Sequence, residues 1–325
     1  MLHPLLYNRA GIRLPERDRL RRRQRFLSET IKLEALGSKR YLGDAIMRKG
    51  TRCYLVGILL WAAAAPAADL REHGRTPRPP TPAAEMAAGG PVAGWQPALH
   101  TSWQWQLTTP VDQSVDVTMY DIDMFDNHAS VVASLHAKGR KVVCYISAGT
   151  WENWRPDAGK FPSEVLGNSN GWAGERWLDI RRVDILGPLM EARLDLCRAK
   201  GFDGVEPDNV DGYSNSTGFP LTYQDQIAYN TFLAGIAHAR GLSVGLKNDV
   251  EQAAELEPYF DWTLNEQCFQ YKECTLLLPF VAVGKPVFEV EYRLETSRFC
   301  PTANAMNFNS IKKKRSLDAY RLPCR

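Results

Sequence analysis

The feature that most constrains this chain is a repeating order of helical stretch, glycine and short apolar run, which starts near Trp103 and continues almost to the C-terminus. Helical patterns at 131–137, 185–199 and 224–239 each close on a glycine, Gly139, Gly201 and Gly241, and an apolar run follows at once. Glycine ends a helix readily because it takes left-handed backbone without a Cβ clash. The apolar runs predict eight strands, at 103–107, 115–122, 141–147, 202–207, 242–247, 262–266, 286–291 and 309–313. Eight strands of this kind within about 220 residues, most followed by a helix, predict an α/β fold of the (β/α)8 TIM-barrel class. The first two strands are an exception, because only seven residues separate them.

The polar residues at the strand ends carry the functional signal, since the active site of such a barrel lies at the carboxyl ends of its strands. Those ends read YDIDMFD (Asp121, Asp123), CYIS (Tyr145), GVEPDNVDGY (Glu206, Asp208, Asp211), GLKND (Lys247, Asn248), NEQC (Glu266) and FEVEY (Glu291, Tyr292). A single strand-end acid equally well caps the helix that follows it. Packing gives no reason, however, to place carboxylates there on strand after strand. Aromatic side chains at or beyond the same ends, among them Trp105, Trp151 and Trp154, suit a groove that stacks sugar rings, although such rings also close a barrel mouth as ordinary packing.

Charge and cysteine usage set the context. Residues 1–52 carry net +9 and the remainder −6, so the basic balance belongs to the N-terminus and gives no reason to expect a nucleic-acid partner. From Met47 the sequence has the order of a secretory signal peptide: Arg48, Lys49 and Arg52, an apolar run from Tyr54 to Ala64, then Ala65-Pro66-Ala67. The run falls short of the roughly 20 residues that span a bilayer, so no stable membrane span is expected. The expected organisation is an upstream basic segment 1–46, a signal peptide 47–67, a Pro/Ala-rich linker 68–102 and a barrel domain 103–325, secreted and monomeric. Six cysteines follow the leader, an even number that suits disulfides in an exported chain. Cys268 with Cys274 and Cys300 with Cys324 are the expected pairs, while Cys144 reads equally as a packed thiol.

Two carboxylates beside a glycosidic bond suffice for hydrolysis, one donating a proton and the other attacking the anomeric carbon or activating water. No cofactor and no metal are expected. None of the six histidines falls in a strand-end motif, which disfavours a Ser-His-Asp hydrolase and a zinc deacetylase. No Gly-rich phosphate loop follows a strand.

At WQWQL, DVTMYDIDMFD, KVVCYISAGTWE, GERWLDIR, GFDGVEPDNVDGY, GLKND, FDWTLNEQC and KPVFEVEY the sequence resembles glycoside hydrolase family 114, the endo-α-1,4-polygalactosaminidases and spherulin-4-like proteins. The resemblance covers roughly 103–324. It implies a secreted, metal-independent barrel enzyme that cleaves α-1,4-linked galactosamine polymers, with Asp208 and Glu266 at the catalytic positions. Asp208 is then the expected nucleophile and Glu266 the acid/base, an order that the sequence leaves reversible. Asp123 and Glu291 are expected to bind the cationic sugar, with Glu206 as a substitute catalytic acid. The alternatives are a glycosidase of other polysaccharide specificity and a non-catalytic carbohydrate-binding barrel of a wall or matrix.

Overall fold

The computed structural model describes residues 94–325. The segments expected as 1–46 and as the signal peptide, and most of the linker, lie outside them. Twelve strands run in chain order: β1 Trp103–Gln106, β2 Met119–Asp123, β3 Lys141–Ser147, β4 Thr150–Glu152, β5 Leu166–Ser169, β6 Glu175–Leu178, β7 Gly204–Asp208, β8 Ser243–Lys247, β9 Trp262–Glu266, β10 Val287–Glu291, β11 Asn309–Lys312 and β12 Leu322–Pro323. The helices are α1 Ala129–Ala137, α2 Val183–Lys200, α3 Tyr223–His238, α4 Ala253–Leu256, α5 Cys268–Tyr271, α6 Leu278–Ala282 and α7 Thr296–Ala305.

The eight expected strands are all present. They pair as one curled parallel sheet in the order β1-β2-β3-β7-β8-β9-β10-β11, to which β12 adds antiparallel. Strand alternation sorts the core into two parts. One face carries Trp103, Trp105, Met119, Val143, Trp262, Leu264, Phe288, Val290 and Ile311, packed together as one cluster. The other face meets the helices through Tyr120, Ile122, Val142, Cys144, Val205 and Val244. Gly245 makes the first cluster possible, because a Cβ there would stand 2.2 Å from the ring of Trp262. Gly201 ends α2 at φ +92°, as the sequence predicts.

β1 and β11 share no ladder of their own. The chain after β11 runs beside β1 instead: Leu107 N donates to Leu317 O at 3.0 Å and Arg321 Nε to Trp103 O at 2.7 Å, while Trp103 Nε1 reaches Asn309 O directly at 2.8 Å. Residues 94–102, expected as linker, are docked, with Gln96 Nε2 on Asp261 Oδ1 at 3.1 Å and Trp95 against the indole-rich cluster.

One unit was not legible in the sequence. Between β3 and α2, residues 148–182 fold into a small antiparallel sheet in the order β4-β6-β5. Two buried arginines hold it. Arg155 donates to both oxygens of Asp123 at 2.9 and 2.6 Å and to Glu152 at 2.7 Å, and Arg193 of α2 grips Asp157 at 2.8 Å and Ser147 O at 2.6 Å. The expected pairs Cys268–Cys274 and Cys300–Cys324 are disulfides, and Cys144 pairs with Cys197. That last bridge fastens β3 to α2 and closes a 53-residue separation, a constraint of about 4 kcal/mol on a chain-entropy account.

Candidate active site

The carboxyl ends of β7, β8 and β9 bring Asp208, Lys247 and Glu266 together. Lys247 Nζ lies 2.9 Å from Glu206 Oε1, 3.0 Å from Asp208 Oδ1 and 3.5 Å from Glu266 Oε2. Burial would lower the lysine's affinity for its proton, but the charges of Asp208, Glu206 and Glu266 outweigh burial and hold it well above its usual range. Lys247 is therefore an ammonium ion that binds three carboxyl groups, two from β7 and one from β9. Asp208 also accepts from Tyr145 OH at 2.9 Å and from Asn209 N at 2.7 Å. Tyr292 OH donates to Glu266 Oε1, and Asn248 fixes the same residue by accepting from Glu266 N at 2.9 Å. Burial and the adjoining carboxylates push both phenols well up, so they remain protonated donors.

A second layer lies underneath. Glu206 is fully buried and takes Trp105 Nε1 on Oε2 at 3.0 Å, and the Trp105 ring centroid is 4.7 Å from Lys247 Nζ. Burial, against the pull of Lys247, pushes the Glu206 carboxyl up to about 7. Asp121, also fully buried, is held well above the carboxylate range by burial and by the charge of Glu206. Its proton can serve the Glu206 carboxylate, since two buried carboxyl groups in contact do not both ionise.

The backbone just beyond the strand ends is unusual in the same place. Asn209, Asn248 and Gln267, which follow β7, β8 and β9 directly, have φ of +63°, +52° and +66°. Left-handed backbone costs an L-residue about 1–2 kcal/mol, least for Asn, and persists where surroundings over-determine it. Here Asn209 N, turned back by that conformation, bonds the Asp208 carboxylate. Asn209 Nδ2 also reaches Ser147 Oγ at 3.0 Å and Thr150 Oγ1 at 3.1 Å, which ties β7 to the inserted sheet.

Two carboxyl groups with exposed atoms at the mouth of a curled parallel sheet, bridged by one ammonium and each held by a tyrosine, are equipped for acid/base and nucleophilic work on a sugar acetal. A model of glycoside-hydrolase family GH114 matches residues 84–325. The chain belongs to glycoside-hydrolase family GH114. As a GH114 glycoside hydrolase it is similar to Aspergillus fumigatus Ega3, whose crystal structure holds galactosamine: 43% identity, 71% of this chain and 97% of that one, TM-score 0.68. The glycoside hydrolase domain of Pseudomonas aeruginosa PelA shares the fold at 14% identity over 70% of this chain and 98% of its own, TM-score 0.55. An uncharacterized protein of Deinococcus radiodurans is 28% identical over 73% of this chain and 87% of its own length.

Within this GH114 site the sequence-predicted residues divide by exposure. Asp208, Glu266, Tyr145, Asn248 and Tyr292 keep accessible surface at the mouth. Asp121, Glu206, Lys247 and Trp105 are buried under them. Asp123 is corrected more sharply. Both its oxygens are taken by Arg155, and Oδ1 also accepts from Phe125 N and Asp126 N. Glu291 is placed away from Asp208 and Glu266: on β10 the side chains of Phe288 and Val290 join the indole-rich cluster, so alternation turns Glu291 to the opposite face, where it accepts from Gln270 N at 3.0 Å. Asp211 stands in the loop after β7, apart from Lys247, and its charge helps burial push Asp249 up. Among the described residues no group of three or more His, Cys, Asp or Glu side chains is placed to hold a metal ion. The sequence reading missed Arg155, Arg193, Thr150 and Glu175, all of which belong to the insertion or brace it.

Proposed function

We propose that this GH114 protein hydrolyses α-1,4-linked galactosamine polymers outside the cell, with Asp208 and Glu266 as its catalytic carboxylates in a barrel that the segment after β11 completes. The observation that carries the reading is the Lys247 bridge. Its ammonium contacts Asp208 and Glu266 at 3.0 and 3.5 Å, so the two bridged oxygens are no further apart than those distances together. Sharing one ammonium keeps the two carboxyl groups close, which supports the roughly 5–5.5 Å spacing of a retaining enzyme over the about 6.5–9.5 Å of an inverting one.

Asp208 receives three donors, from Lys247, Tyr145 and Asn209, an arrangement suited to the carboxylate that attacks the anomeric carbon. The Glu266 side chain is the more exposed of the two, 29% against 18%, which suits the group that meets the leaving oxygen and later a water. In the first step Asp208 bonds the anomeric carbon as the bond from that carbon to the glycosidic oxygen breaks, and Glu266 gives its proton to the departing oxygen, which leaves as a sugar hydroxyl. In the second Glu266 takes a proton from water, which displaces Asp208 from the sugar. Substrate identity is supported by the galactosamine held by Ega3 at 43% identity and by the excess of carboxyl groups around a single lysine, a field that draws a cationic polymer. The three disulfides support export, since such bridges persist in oxidising compartments.

The test is digestion of purified galactosaminan, its N-acetylated form and a neutral galactan, with products sized by mass spectrometry. Oligomers are expected from galactosaminan, and Asp208→Asn and Glu266→Gln are each expected to lower their release by about 1,000-fold or more, while both variants melt near the parent. Equal cleavage of the neutral polymer would overturn the substrate, and full activity in either variant would remove that residue from the mechanism.

A further inference from the structure

The inserted sheet hangs on the carboxyl end of β3, on the face of the parallel sheet that carries the catalytic pair. It exposes two tryptophans, Trp154 at 50% and Trp172 at 62%, whereas indole rings elsewhere in the described chain are largely covered. Trp154 rests on backbone: its Cζ3 is 3.0 Å from where a Cβ of Gly174 would stand, and Asn153 N donates to Gly174 O at 3.0 Å. Trp172 is joined to the next residue of the patch by its carbonyl, which accepts from Glu175 N at 3.1 Å. Glu175 thus adjoins both exposed rings along the backbone, next to Gly174, against which Trp154 packs, and bonded to the Trp172 carbonyl.

That carboxyl group is aimed. Oε2 accepts from Asn170 Nδ2 at 2.5 Å and from Thr150 Oγ1 at 3.2 Å, while Oε1 has no hydrogen-bond partner among the described residues. Thr150 Oγ1 is also the group that Asn209 Nδ2 reaches, next in sequence to Asp208, so only two side chains separate Glu175 from the catalytic carboxylate. Partial burial, followed by the charges of Glu152 and Asp208, pushes the Glu175 carboxyl up to about 7. A cation placed against Oε1 relieves that repulsion. Among the described residues no basic side chain does so, and the proposed catalytic steps make no use of the residue.

We propose that Trp154, Trp172 and Glu175 form a sugar-binding subsite beside the catalytic pair, in which the indoles stack on pyranose faces and Glu175 Oε1 pairs with the ammonium of an unacetylated amino-sugar unit. This rests on the proposed substrate class and adds to it the residues that read the positive charge. A carboxylate close to stacking rings distinguishes an amino sugar from its acetamide, because acetylation removes the charge and leaves the ring face unchanged.

The test uses the full chain carrying Asp208→Asn, which binds without turnover, and isothermal titration with galactosamine oligomers and their fully N-acetylated counterparts. Adding Glu175→Gln is expected to weaken the galactosamine oligomers about 10-fold, the scale of one charge-assisted contact, and the acetylated ones less than about 2-fold. Adding Trp172→Ala, at a ring too exposed to support the fold, is expected to weaken both sets alike. If the Asp208→Asn parent binds galactosamine oligomers and Glu175→Gln changes neither set, or both by one factor, the subsite is overturned while the substrate class stands. If the parent binds no galactosamine oligomer, the substrate class falls and the subsite with it.

Discussion

Lys247 enters the carboxylate cluster from β8 with its side chain 1% exposed, and the energetics of the site depend on its charge. Removing one partner of a buried ion pair leaves the other uncompensated, at a cost of about 3–5 kcal/mol. Lys247→Met is therefore expected to lower the unfolding free energy by that order and to reduce kcat by more than about 100-fold, read by chemical denaturation and by reducing-end release. A variant as stable and active as the parent would show that the bridge is dispensable. Tyr292→Phe is the gentler change, since it removes only the phenolic donor to Glu266. A loss of about 10-fold in kcat with little change in melting is expected, and an unchanged kcat would place Tyr292 outside the mechanism. At this scale the sequence was only partly legible. Glu206 and Asp208 share a strand face and both reach Lys247, as their spacing of two requires. The same rule turns Glu291 of β10 to the opposite face. Asp123 fails because its partner Arg155 is distant in sequence, and no pattern in either segment announces the pair.

Gly149 lies where the inserted sheet meets β7, the strand that carries Asp208. A Cβ there would stand 1.7 Å from Asn209 O, and Gly149 N donates to Asp208 O at 3.1 Å. Nothing but glycine fits so close to backbone, so Gly149→Ala is expected to push β4 and β7 apart and lower kcat/KM at least about 100-fold while far-UV circular dichroism stays native. Wild-type activity would mean that the insertion does not set the position of Asp208. The strands of the parallel sheet were legible to within a few residues, because apolar runs buried on both faces contrast with the glycines and polar ends around them. The insertion was not. Its strands are three or four residues long, β5 is half exposed with the sequence LGNS, and what holds the unit is Arg155 and Arg193, whose partners lie on other elements.

Across the whole molecule the buried acids set the response to pH. An unfolded glutamate loses its proton near 4.3, whereas Glu206 in the fold keeps its proton to about 7. The folded state binds more protons over that interval, so stability is greatest below about 4.5 on this account and is lost as pH rises toward about 7. Asp121, Asp249 and Glu289, all raised by burial, act in the same direction. Calorimetry is expected to show a lower melting temperature at about pH 7.5 than at about pH 5, with a shallower slope in Glu206→Gln. A melting temperature that climbs over the same range would contradict the buried-acid account. The sequence by itself determined the parallel α/β architecture, the strand ends that hold Asp208 and Glu266 and two of the three disulfides, because local periodicity, helix-ending glycines and cysteine spacing act over a few residues. The tertiary structure alone decided which strand-end acids face Lys247, which are consumed by Arg155 or turned to the helices, and that a separate sheet with two exposed indoles stands beside the pair. Those outcomes depend on partners brought together from distant parts of the chain, and the burial that sets their charge exists only once the chain has folded.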